Sequence, residues 1–225
     1  MTFARQALVI LRKDMLTEWR TKERLGTLVF FVLLVLLVFN FSFELGGYAL
    51  HEIGPGVLWS SYVFASLLGL NRTFAGEREN GCLDALLLAL ADRSSLFVAK
   101  MLGNLLFLLI VQLLSLPLFA LFFNLAIDAQ LAALCVGLVL GSASLAAVGT
   151  LFAVMSTNSR LREMLLPLLV LPMCMPALIS CVQATGAIFA GRGLDSVLPH
   201  IQILAVYVVV FTALAILLFE FVIEE

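Results

Sequence analysis

All but one of the 13 lysines and arginines of this chain fall in three polar segments, and those segments alternate with others that carry almost no charge. Arg5, Arg12, Lys13, Arg20, Lys22 and Arg24 precede the first apolar stretch. Arg72, Arg78, Arg93 and Lys100 lie between the second and third, and Arg160 and Arg162 between the fourth and fifth. Arg192 stands alone between the fifth and sixth. A bilayer imposes such alternation, because short cationic loops stay on the cytoplasmic side while uncharged ones cross. The chain therefore reads as an all-α protein of six spans with both ends in the cytoplasm.

With 63% hydrophobic and 12% charged residues, the composition lies well outside the soluble range. Spans and short connections consume nearly all 225 residues, which leaves no room for a soluble catalytic or nucleotide-binding domain. Energy for any work must come from a partner or an ion gradient. No cleavable signal peptide is apparent, because the first apolar run leads into further spans rather than a small-residue cleavage site. The four cysteines do not form a disulfide framework: Cys174 and Cys181 are seven residues apart on one helix, roughly 10 Å, too far to bridge. The net charge of −2 hides a dipolar layout, with a basic inner surface and three C-terminal acids, Glu220, Glu224 and Glu225.

Within residues 1–24, Ala4, Leu8, Leu11, Met15 and Trp19 recur at helical spacing while Arg5, Arg12, Lys13 and Arg20 favour another face. This predicts a helix in the cytoplasmic interface, with Trp19 at headgroup level and its cations towards anionic membrane lipid. The spans are expected at about 26–47, 53–75, 98–124, 130–156, 163–190 and 200–221, each near or above the roughly 20 residues that cross a bilayer. The first two form a hairpin around Gly46 and Gly47. Residues 76–97 differ from the other connections. After Glu77, Arg78, Glu79 and Gly81 come Leu83, Leu86, Leu87 and Leu90, spaced as one stripe of an amphipathic helix. At about ten residues that helix is too short to span, so it must lie along the membrane or in a protein interface. The whole chain, 1–225, reads as one domain.

Ionisable groups are nearly absent from the span centres, where Asn40, Gln112 and Gln183 are the most polar residues. A proton- or ion-driven carrier needs a titrating or cation-binding group at that depth, so an ATP-independent secondary transporter is disfavoured. No Gly-rich loop ends in Gly-Lys-Ser or Gly-Lys-Thr, so the chain does not itself hydrolyse nucleotide. Ser142 and Ser144 have no base within expected reach, since His51 and His200 are placed at the outer surface, and no catalytic residue is assigned. Gly137 and Gly141 form a GxxxG pair suited to close helix packing. His51, His200, Met173, Cys174 and Met175 could in principle ligate haem or copper, yet nothing stands at ligand spacing, and no metal or directly bound cofactor is expected. Nucleic acid is excluded as a partner by the same layout. Pro167, Pro172 and Pro176 remove three backbone donors from the fifth span, which points to a kink, a hinge or a gate.

The string GPGVLWSSYVFASLLGLNRTFAGERENGCLDALLL, from Gly54 to Leu88, resembles the cytochrome c maturation protein B family, the haem exporter permease of ABC type. Its residues Gly54, Pro55, Gly56, Trp59, Leu70, Asn71, Arg72, Phe74, Glu77, Gly81 and Leu83 carry the likeness, and LPLLVLPMCMP looks like the family's proline-rich span. Relatives usually have a proline near Leu90 to Asp92, and this chain does not, which leaves the end of the amphipathic helix open. The resemblance implies a bacterial inner-membrane permease domain with an interfacial elbow helix (1–24) and a cytoplasmic coupling helix (77–93). It also implies partners: an ATP-binding subunit (CcmA-like), a multispan haem-handling subunit (CcmC-like), a small single-span subunit (CcmD-like), a haem chaperone (CcmE-like) and a second copy of this chain. ATP would act through the partner, its hydrolysis coupled to haem export or to release of the haem-loaded chaperone, with haem the transported or handled ligand. On this reading Glu77, Arg78, Glu79, Gly81, Leu83, Leu86, Leu87 and Leu90 contact the ATPase, and Asn71 and Arg72 form the coupling end of span two. A related ABC-2 permease exporting a polysaccharide or drug is the alternative.

Overall fold

The computed structural model describes residues 3–46, 50–74, 81, 94–122, 131–156 and 162–224. Among these the chain forms seven helices: α1 (Phe3–Thr21), α2 (Glu23–Gly46), α3 (Leu50–Asn71), α4 (Ser94–Phe122), α5 (Leu131–Met155), α6 (Arg162–Phe189) and α7 (Leu194–Glu224). Six of them, α2 to α7, are long and apolar enough to cross a membrane. In hydrocarbon the backbone must satisfy its own polar groups, and a helix does so within a single segment. Apolar, almost uncharged runs of this length therefore fold as spanning helices, and the protein is a multi-pass membrane protein.

Two helices form the centre. The most apolar windows of α3 and α5 are 72% and 78% buried within the protein, against 17–33% for the other four. These two also touch each other, and both touch α4 and α6. Small residues make this possible, because Gly, Ala and Ser let helices approach closely where lipid gives no hydrophobic drive. A Cβ added at Gly141 would lie 2.2 Å from Trp59 Cη2 and 2.6 Å from Cys181 Sγ. At Gly149 it would meet only the flexible end of Leu70, and at Gly137 it would meet nothing within 4 Å.

Buried polar groups tie the central helices across their interfaces. Trp59 Nε1 donates to Thr185 Oγ1 at 2.9 Å, joining α3 to α6, and the Trp59 ring meets Tyr62 edge-on at 5.8 Å between centroids. The Tyr62 hydroxyl lies 3.1 Å from Ser115 Oγ, and Gln112 Nε2 donates to Ser142 Oγ at 2.7 Å. Each such bond in a membrane averages about 0.6 kcal/mol, so the set matters more than any member. Asn40 donates to the Phe122 carbonyl, whereas Gln183 faces outward.

The helix ends follow local chemistry. Lys22 takes a φ of 53°, a left-handed conformation uncommon for a residue with a side chain, and separates α1 from α2. The Glu18 carboxylate then accepts the Leu25 N–H at 2.8 Å and caps the first turn of α2. At the other end of the bundle, Gly191 at φ 65° closes α6. Its N–H reaches the Ile188 carbonyl while that of Arg192 reaches Ala187, the paired bonds of a Schellman turn. The helix α6 stays continuous through Pro167, Pro172 and Pro176, and the Tyr207 hydroxyl of α7 donates to the Met173 carbonyl in that stretch. The last span starts earlier than its apolar run predicts, since α7 begins at Leu194 and accepts Pro199 within its first two turns.

Replacing Gly141 by alanine is expected to lower stability by about 1–3 kcal/mol, the usual cost of overpacking. Thermal unfolding of the detergent-purified protein should show a clear drop for Gly141→Ala and none for Gly137→Ala.

Candidate functional site: a charged frame around residues 75–93

Span two ends at Asn71, and the chain turns through Arg72 and Thr73, whose N–H groups reach the Gly69 and Leu70 carbonyls at 3.1 and 3.0 Å. It is described again from Ser94, the first residue of α4. Glu77, Arg78, Glu79, Leu83, Leu86, Leu87 and Leu90 lie outside the described residues. Gly81 alone is described between them, exposed and at φ 63°, a backbone state that glycine adopts without strain. The residues on both sides of the segment are buried: Thr73 and Phe74 before it, Ser94, Ser95, Leu96 and Phe97 after it.

Three other elements converge on Asn104 of α4. Its Oδ1 accepts from Arg24 Nη2 of α2 at 2.6 Å and from Thr73 Oγ1, after span two, at 2.9 Å. Its Nδ2 donates to Thr150 Oγ1 of α5 at 2.8 Å. The Arg24 guanidinium also lies over the Phe107 ring at 4.3 Å from the centroid, which supplies attraction where its Nε has no hydrogen-bond partner among the described residues. A Cβ at Gly69 would come within 3.1 Å of Arg24 Nη2, so glycine leaves room for the guanidinium.

One helical turn away, a second pair binds α1. Lys100 Nζ of α4, only 4% exposed, lies 2.9 Å from Asp14 Oδ2. It also sits 5.6 Å from the centre of the Phe74 ring. Lys100 thus touches the residue just before the segment from a position just after it. Removing one member of such a buried pair typically costs 3–5 kcal/mol, because the other charge is left uncompensated. By contrast, the Arg72–Glu23 pair at 3.3 Å is exposed on both sides, and pairs of that kind contribute little.

The face of α1 turned to the bundle is not its most apolar stripe. Gln6, Ala7 and Ile10 are buried, whereas Leu8 and Trp19 are 64% and 79% exposed. Asp14 explains the rotation: its bond to Lys100 draws that flank inward. Of the span-two end residues expected from sequence, Asn71 is half-buried and Arg72 exposed. Sequence reasoning missed Asn104, and it treated Arg24, Asp14 and Lys100 only as topology signals or not at all. An asparagine ten residues inside a span and an arginine at the very start of another were the available hints.

His200 is half-buried, and its Nδ1 has no partner among the described residues. Met173 and Met175 face outward, while Cys174 is buried. Among the described residues no three His, Cys, Asp or Glu side chains come together.

The profile of the family described as CcmB protein matches residues 5–222. "Heme exporter protein B" of Rhodobacter capsulatus is 33% identical over 170 residues, covering 76% of this chain and 78% of that protein. Its namesake from Paracoccus denitrificans is 32% identical over 182 residues, 81% of this chain and 83% of the relative. The one from Pseudomonas aeruginosa is 30% identical over 191 residues, 84% and 83%.

Substituting Asn104 by leucine strands Arg24 and is expected to cost about 3 kcal/mol. Adding Arg24→Met should recover much of that loss, because removing both partners is cheaper than removing one. Melting temperatures of both single variants and the double variant check this. Additive losses would contradict the pairing.

Proposed function

The chain belongs to the CcmB protein family, and from that premise we propose that it is the membrane permease subunit of a haem-export system serving cytochrome c biogenesis. The observation that carries this is the family match across nearly the whole chain, on a protein of six apolar helices. Its role is mechanical rather than catalytic: nucleotide is hydrolysed by an ATP-binding partner, and the spans respond. Haem is the transported or handled substrate.

In this reading residues 77–93 form a coupling helix on the cytoplasmic face. Leu83, Leu86, Leu87 and Leu90 dock in a groove of the ATPase subunit, Glu77, Arg78 and Glu79 supply rim charges, and Gly81 separates the two parts. Closure of two ATPase subunits then pushes the segment, and the charged frame divides the push. One branch passes from Thr73 to Asn104 and on to Thr150, moving α4 and α5 with span two. The other passes from Phe74 to Lys100 and Asp14, moving α1. Asn71 and Arg72 form the end of span two that tilts, and Pro167, Pro172 and Pro176 give α6 the compliance to follow. Close packing at Gly141 lets α3 and α5 slide as a unit, with Gly137 opposite an open space.

Two copies work as a pair in a bacterial inner membrane, with both termini cytoplasmic. The cations of the N-terminal segment and of the second and fourth connections support that orientation. The surrounding complex contains a haem-handling multispan subunit, a single-span subunit and a membrane-anchored haem chaperone outside. Among the described residues the apolar helices offer no charged mid-membrane site that would drive transport from a gradient instead.

A strain lacking this gene should fail to accumulate c-type cytochromes, and the wild-type chain should restore them. The double variant Leu86→Asp with Leu87→Asp should leave cytochrome levels at those of the deletion strain and lose co-purification of the ATP-binding subunit. Normal recovery of that subunit would sink the docking claim.

A further inference from the structure

Helix α1 carries two acids, and both are occupied on the bundle side. Asp14 holds Lys100 and Lys13, and Glu18 caps α2. The opposite flank carries Arg12 and Arg20, with Lys13, paired to Asp14, between them. There, two adjacent rows at i, i+4 and i+8 run along the helix, Arg12–Leu16–Arg20 and Val9–Lys13–Thr17. Together they line an open groove of about 440 Å³. Val9 and Leu16 are 57% and 50% exposed, and no acid of α1 faces them. Arg12 and Arg20 stand about 12 Å apart along the helix axis, at 1.5 Å per residue.

We propose that this groove is a binding site for one anionic glycerophospholipid of the leaflet in which α1 lies. Arginine presents a planar fork of donors that matches phosphate oxygens, and two such forks bracket the groove. An acidic peptide or free phosphate would neutralise the cations but leave Val9 and Leu16 in water. A phospholipid covers both, with its phosphate on the guanidiniums and the first part of its acyl chains over the apolar positions. Exposed Leu8 and Trp19 lie on the adjoining side, where a ring with one apolar and one polar edge suits the headgroup boundary. The lipid would hold the outer flank of the helix whose inner flank is clamped by Lys100, and so steady the frame from outside. This site rests on the membrane placement of the chain and not on ATPase docking, so either can fail alone.

Native mass spectrometry of the full chain, released from detergent with equal phosphatidylglycerol and phosphatidylcholine of identical chains, tests it. The wild type should retain phosphatidylglycerol preferentially. Arg12→Gln with Arg20→Gln should cut that preference between about tenfold and thirtyfold, since each cation near an anionic surface is worth roughly fivefold. Arg192→Gln, at the opposite end of the bundle, should leave it unchanged, while Arg12→Lys with Arg20→Lys should give an intermediate preference, since the charge is kept and the planar fork is lost. Equal retention of the two lipids by the wild type, or an unaltered preference in the glutamine variant, overturns the site. If the glutamine variant does not accumulate, the wild type still decides. Its preference must weaken as salt rises, and a preference indifferent to salt overturns the site as well.

Discussion

A guanidinium at the mouth of an apolar bundle has to be held by something, and the rest of this structure is arranged around how Arg24 is held. It stands second in its helix, where the chain passes from a cationic surface helix into hydrocarbon. Asn104 gives it a carbonyl oxygen, Phe107 gives it a ring face, and the missing side chain of Gly69 gives it space. Because Asn104 simultaneously reaches Thr73 and Thr150, satisfying one charge fixes four elements relative to one another. An isolated charge at this depth would cost several kcal/mol, so these helices cannot drift apart cheaply.

The same logic explains why the connection between spans two and three is framed more firmly than the others described. The turn between α6 and α7 is a compact glycine-closed link with local bonds of its own, from backbone N–H groups and from the Ser196 hydroxyl to the Gly193 carbonyl. The flanks of residues 75–93 are instead held by side chains from α1, α2, α4 and α5, with Lys100 reaching both sides. Loads applied to the segment would therefore be shared among several helices rather than absorbed by one loop. Exposed pairs such as Arg72 with Glu23 add orientation but little rigidity.

Much of this was legible in the chain, and the remainder was hidden for a definite reason. Apolar runs and cation spacing locate α2 to α6 within a few residues, because helix length and bilayer thickness leave little choice. The start of α7 was read late, since Pro199 looks like a boundary although a proline near a helix start is tolerated. The amphipathic character of α1 was visible, but not its rotation, which Asp14 sets through a lysine 86 residues away. The bonds of Arg24 with Asn104 and Trp59 with Thr185 span 80 and 126 residues. Periodicity tells which face of a helix is apolar. It does not tell which helix lies opposite, and in lipid, where every partner is equally oily, hydrophobicity gives little guidance.

Cysteine labelling tests most directly which side of the membrane the framed segment faces. Cys174 and Cys181 are buried and Cys135 is exposed, so a Cys135→Ser background leaves Cys82, within the framed segment, as the thiol to follow. A membrane-impermeant maleimide should modify it in inverted vesicles and spare it in right-side-out ones. Modification from the outer side would contradict the orientation, and no cytoplasmic hydrolase could then act on the segment.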